Sequence, residues 1–193
     1  MIHSGEAFGF RSGAHVMRID YDPELPLAMS LDYQRGGKSV CLWLQFLPNG
    51  AMRVIGSIQM EARSAMEFGQ AMCDRHLQLE YGDVAWAAGD PHDKDFRYMM
   101  RRHFGLPTTF KRFLVNVIGG SGAEELARGV ALREIIAQGK LAIDPRCEWA
   151  IEHFSRVANP IINALAVYQA RAPRDAPRLF SPTGLGTRRK ARC

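Results

Sequence analysis

The sequence predicts one α/β domain on a mixed central sheet, antiparallel in its first three strands and parallel beyond, flanked by helices. Three observations carry that prediction. Residues 25–59 hold three successive apolar, strand-like runs, the last two joined by a Pro-Asn-Gly turn. From Ala62 the apolar spacing becomes helical. A further apolar run, "VAWAAG", then follows the helix, an order that favours parallel addition to the same sheet.

Taken in order, "AFGFRSGAHVMRIDYDPELP" is a mixed lead-in interrupted by Pro23 and Pro26. "LAMSLDY" is short and apolar throughout, the pattern of a central strand buried on both faces. "KSVCLWLQFL" follows, rich in residues that suit a pleated surface, and "AMRVIGSIQM" is its return strand, so the sheet opens with an antiparallel meander. "ARSAMEFGQAMCDRHLQL" places Ala65, Met66, Phe68, Ala71, Met72 and Leu77 near helical spacing. "YGDVAWAAGD" is a strand that ends on Asp90 and runs into the turn "PHDKDF". Within the region that follows, "KRFLVNVI" reads as a further strand or a loop. "GAEELARGVALREIIAQGK" is a helix with Glu124 and Glu125 at its positive end and Gly139 closing it. "LAID" is a short strand, "PRCEWAIEHFSRVA" opens a helix with Pro145 in its first turn, and "IINALAVYQAR" is a last apolar helix after Pro160.

Composition narrows the function classes. The chain has 193 residues, 47% hydrophobic and 23% charged, which is ordinary for one globular domain. No apolar run approaches the roughly 18 residues that span a bilayer, so no membrane partner is expected. Four scattered cysteines form no C-x-x-C pair, which argues against a zinc site or disulfide framework and for a reducing, cytoplasmic setting. The net charge of +5 lies entirely in residues 172–193, where six Lys/Arg stand against one Asp. Such a Pro-, Gly- and Arg-rich tail is either a flexible solvated end or an arm that neutralises nucleic-acid phosphates.

The chemistry concentrates at strand ends. Asp32 and Asp90 both terminate apolar strands, where open α/β sheets carry their reactive groups. Two such carboxylates side by side need a cation, and a hard divalent ion accepts few carboxylates while engaging substrate phosphates. Two ions about 4 Å apart clamp both sides of a phosphodiester undergoing hydrolysis. That is the arrangement of an RNase H-like nuclease, with Mg²⁺ or Mn²⁺ as the expected cofactor. Gly36 and Gly37, just after Asp32, are expected to turn the backbone and leave room for a phosphate chain. Lys38 faces a backbone phosphate or is a solvated loop charge. Arg97, Arg101, Arg102, Lys111 and Arg112, interleaved with aromatic residues, are candidates to position DNA. Ser39 has no base near it in sequence, so acyl transfer receives little support.

In their order, "YDPELPLAMSLDYQRGG", an aliphatic strand with a Gln, "PNGAMRVIGSIQM", a helix, "DVAWAAGDPHDKD" and "LAIDPRCEWAIEHF" resemble the nuclease domain of tailed-phage terminase large subunits. The resemblance covers the chain to about residue 171. It implies a lead-in (1–24) from a missing ATPase domain, a nuclease domain (25–171) and a basic tail (172–193). It also implies an endonuclease that cuts double-stranded DNA during viral packaging in the host cytoplasm. An ATPase domain, a small terminase subunit and a portal are the implied partners. No P-loop motif occurs in the chain, as expected of a nuclease half without its motor.

By the same resemblance, Asp32 and Asp90 take the places of the first two metal-ligating acids. The third acid of the family lies in an Asp-His-x-x-Asp-Ala-Leu type segment, and the corresponding residues here are "ANPIINALAVY". Asn163 stands in the place of the Asp and Pro160 in that of the His. An amide carbonyl still coordinates a hard cation but carries no charge, so a weakened site that mainly binds DNA or packaging partners is the alternative. Asp93, Asp95, Glu152 and Asp144 are the candidate substitutes, Asp144 being better suited to order a helix start. A Holliday-junction resolvase is a more distant reading of the same fold.

Overall fold

The computed structural model describes residues 9–89, 96, 98, 99 and 134–154. Among these, the sheet runs β4-β1-β2-β3-β5, with β1 Leu27–Asp32, β2 Lys38–Phe46, β3 Met52–Glu61, β4 Val84–Gly89 and β5 Leu141–Ile143. β1, β2 and β3 form the expected antiparallel meander, and β4 adds parallel to β1. β5 adds parallel to the start of β3, Ile143 facing Val54. Among the described residues, the helices are α1 Ser12–His15, α2 Ala65–Gln78 and α3 Glu148–Phe154, with residues 96, 98, 99 and 134–137 also helical.

Side chains alternate across the sheet, and both faces are covered. Leu27, Met29, Leu31, Cys41, Trp43 and Ile55 pack with Phe68 and Met72 of α2. Ala28, Val40, Leu42, Leu44 and Val54 pack on the other face with Ile136, Cys147, Ala150 and Phe154. Two covered faces explain why β1 and β2 read as unbroken apolar runs. Burying each of the large residues contributes about 1.5–3 kcal/mol.

Helix boundaries follow local chemistry. The Ser64 hydroxyl accepts from the Glu67 N–H at 3.2 Å, and the Glu67 carboxylate accepts from the Arg63 N–H at 2.8 Å, so the start of α2 is held from both sides. Ala65, Phe68 and Met72 form its buried stripe, whereas Met66 and Leu77, expected on that stripe, face solvent. Gly139, at φ +64°, ends the helical turn 134–137. The Gly139 and Lys140 N–H groups donate back to Ile136 and Ile135, a Schellman closure that needs the left-handed residue there. α3 begins at Glu148, not around Pro145, because Asp144 first forms a turn: its carboxylate accepts the Arg146 N–H and its carbonyl the Cys147 N–H.

The lead-in is built into this domain from Phe10 onward. Phe10 and His15 stack at 5.3 Å, and Phe10 also meets Phe154 at 5.4 Å. Val16 bridges Ile143, the Met17 N–H donates to the Ile143 carbonyl, and the Ile19 N–H donates to Asp144 Oδ2 at 2.8 Å. Buried Gln45, near the end of β2, grips the turn before β1. Its Oε1 accepts the Asp22 N–H at 3.1 Å, and its Nε2 donates to the carbonyls of Asp22 (2.6 Å) and Leu25 (3.2 Å).

Candidate functional site

β1 is buried from Leu27 to Leu31 and reaches partial exposure at Asp32. Alternation then separates the next two side chains. Tyr33 joins the α2 face, stacked on Phe96 at 4.9 Å and Phe68 at 6.0 Å, while Asp32 belongs to the opposite face with Ala28 and Ser30. The aromatic stack thus pins the chain immediately after the carboxylate.

The loop to β2 is closed by hydrogen bonds. The Ser39 hydroxyl, buried, accepts from the Gln34 N–H at 3.0 Å and donates to the Gln34 carbonyl at 3.2 Å. The Gly37 N–H also donates to that carbonyl, at 3.0 Å, and the Gly36 N–H donates to the Ala62 carbonyl at 3.1 Å. The side-chain amide of Gln34 then donates to Asp32 Oδ2 at 3.2 Å. Gly36 has φ +69°, so it does turn the backbone as expected. Gly37 has a different use: a Cβ there would stand 3.2 Å from both Cβ and Oε1 of Gln34. The space it leaves belongs to that side chain. Lys38 is exposed at the first position of β2, in register with Glu61.

β1 and β4 run in parallel with Leu31 facing Gly89. Asp90, Asn163, Arg97, Arg101, Arg102, Lys111 and Arg112 lie outside the described residues, as do Asp93, Asp95, "KRFLVNVI" and the tail. Among the described residues, no three His, Cys, Asp or Glu side chains form a group able to hold a metal ion.

Asp144 is committed elsewhere. It follows β5, three strand spacings from β1, roughly 14 Å sideways. Its side chain is fully buried and accepts from the Ile19 N–H, the Arg146 N–H and the Arg146 guanidinium, whose Nε lies at 2.7 Å. Burial alone would raise its pKa, but the hydrogen bonds from Arg146 and Ile19 outweigh that and hold the carboxyl below its usual range. Asp144 therefore fastens the lead-in and the turn before α3, and Glu152 is exposed on α3. His76 accepts from Trp43 Nε1 at 3.2 Å, and burial lowers its pKa. Burial also pushes the Cys41 thiol well above its usual value and Cys147 to about 11, which disfavours thiolate chemistry at these residues.

Solved structures share this architecture. The large terminase nuclease of thermophilic phage G20c, solved with bound cobalt, superposes with a TM-score of 0.63 at 11% identity, over 89% of this chain and 98% of that one. The P22 large terminase nuclease domain gives 0.60 at 14% identity, over 85% and 91%. This chain has the fold of a large-terminase nuclease domain. The terminase-nuclease fold also matches within the large terminase of the thermophilic bacteriophage D6E in complex with ADP, with a TM-score of 0.62 at 13% identity. That match covers 89% of this chain and 44% of the D6E protein, so the chain spans under half of that length. No protein-family model matches the sequence, and no curated protein does.

The terminase-nuclease fold was legible in the order of strands and helix. Missed in the sequence were Gln34 and the bearing of Ser39 and Gly37 on it, which shape the surroundings of Asp32. Their one signal is the compact "DYQRGGKS", with polar and glycine residues between two buried strands.

Proposed function

We propose that the chain is a divalent-metal-dependent endodeoxyribonuclease domain that cuts double-stranded DNA during viral genome packaging. The observation that carries this reading is the parallel register of β1 and β4. Leu31 faces Gly89, and the next residue along each strand direction is an aspartate, Asp32 and Asp90. The fold, shared with terminase nucleases of which that of phage G20c was solved once with cobalt and once with zinc, supports it.

The donors fit a hard cation. Asp32 offers a partly exposed carboxylate at a strand end, and carboxylate oxygen is what Mg²⁺ and Mn²⁺ take. Asp32 and Asp90 would hold the ion, with the Asn163 carbonyl as a weaker third donor. When bound, it supplies Lewis-acid stabilisation of the charge that develops on the phosphodiester oxygens. The chain does the rest. The β1–β2 loop sets the direction of the Asp32 carboxylate, and Lys38 attracts the DNA backbone to the same end of the sheet. Arg97, Arg101, Arg102, Lys111 and Arg112 extend that attraction, which is independent of base sequence. An ATPase domain, a small subunit and a portal are the partners this reading assigns, in the host cytoplasm.

Asn163 favours a second reading, a weakened nuclease that mainly binds DNA or packaging partners. Nicking of supercoiled plasmid in Mn²⁺ separates the two. The nuclease reading expects cutting by the parent chain, a loss on the order of 100-fold in Asp32→Ala, and faster cutting in Asn163→Asp. An inert parent beside an active Asn163→Asp would hand the case to the second reading.

A further inference from the structure

We propose that Gln34 is a positioning residue for the metal-ligating carboxylate of Asp32, and that Ser39 and Gly37 exist in this loop to hold Gln34 in place. The inference rests on the nuclease reading and deepens it. Its starting point is the bond from Gln34 Nε2 to Asp32 Oδ2 at 3.2 Å. That bond is exposed to solvent and weak by itself. What distinguishes it is how the backbone that carries the donor is held.

Three hydrogen bonds fix the Gln34 backbone. The Ser39 hydroxyl engages both its N–H and its carbonyl, from a position fully shielded from solvent. The Gly37 N–H adds a second donor to the same carbonyl. Gly37 also lacks the Cβ that would press on Cβ and Oε1 of Gln34 at 3.2 Å. A glutamine in a solvated turn needs none of this. One that must keep a carboxylate pointed in one direction does, because an oriented outer donor fixes the ligand before the cation arrives.

The chemistry matches as well. An amide N–H donates to a carboxylate without adding charge, so it orients Asp32 and leaves its negative charge available to a cation. A lysine or arginine at the same place would compete with the metal. Loss of such an outer partner typically weakens metal binding 10- to 100-fold.

Mn²⁺ titration of the full chain, followed by the loss of the free-ion electron paramagnetic resonance signal, tests the proposal. Gln34→Met keeps the length of the side chain and removes the donor. It is expected to weaken Mn²⁺ binding about tenfold with an unchanged thermal unfolding midpoint, and to have no further effect in an Asp32→Ala background. Gly37→Ala should weaken binding in the same direction. In the metal-free parent, the Gln34 side-chain amide resonance should move on Asp32→Ala, which reads the contact itself. Equal Mn²⁺ affinity in parent and Gln34→Met would overturn the positioning role and leave the nuclease reading standing. Absence of any Asp32-dependent Mn²⁺ binding in the parent would overturn both.

Discussion

Asp144 shows how one residue type serves two ends in this chain. Asp32 stands partly exposed at the end of β1, whereas Asp144 is fully enclosed and donated to by the Ile19 and Arg146 N–H groups and the Arg146 guanidinium. The consequence is a pH dependence with a definite sign. The folded carboxyl has a pKa below its ordinary value of 3.8, so as pH falls the unfolded chain takes up the proton first. The contribution of Asp144 to stability is full above that ordinary value and is lost as pH falls through the folded one. Urea unfolding measured from pH 6 down to pH 2 should show the parent losing stability in the acid range. Asp144→Asn, already lacking the ion pair, should lose less over the same range, and parallel curves would refute the assignment.

Between residues and the whole lies the meander, whose strands position Asp32. β1 is reached through the turn at residues 22–25, and Gln45 of β2 is what secures that turn with one accepted and two donated hydrogen bonds. Gln45→Leu keeps the volume but strands these backbone groups beneath the lead-in. The expected cost is about 2–3 kcal/mol in denaturant midpoint measurements, with Mn²⁺ binding retained while the fold persists. The same element shows what was legible in the sequence and what was not. β1 and β2 announce themselves because both faces are buried, and β3 by the Pro-Asn-Gly turn that leads into it. Gln45 was visible only as a polar residue in an aliphatic strand, since its partners lie 20 and 23 residues away. The packing of Phe10 to Ile19 was hidden for the same reason: no periodicity marks a segment whose anchor is Asp144. Asp32 was legible as an acid ending an apolar run, while Gln34 and Ser39 looked like any solvated loop.

At the scale of the molecule, the proposed substrate is a polyanion, and the proposed function has it meet the domain at the end of the sheet where β1 stops and β2 begins. Lys38, exposed on that rim at the start of β2, is a described cation placed to meet a phosphate. If it makes one backbone contact, Lys38→Ala should lower affinity for duplex DNA equally across sequences. It should also reduce the slope of log affinity against log salt concentration by about 1. An unchanged slope in fluorescence-anisotropy titrations from 50 to 200 mM salt would return Lys38 to the status of a solvated charge.

The tie between Ile19 and Asp144 has a consequence for the order of events in folding. Its two ends are separated by 125 positions in the chain, so closing it costs more chain entropy than closing any local contact. If a contact of that span closes only after the folding barrier, its φ-value is near zero. Weakening this one should leave the rate of acquiring the fold almost untouched and shorten the lifetime of the finished state, so the lead-in acts as a latch fastened last and released first.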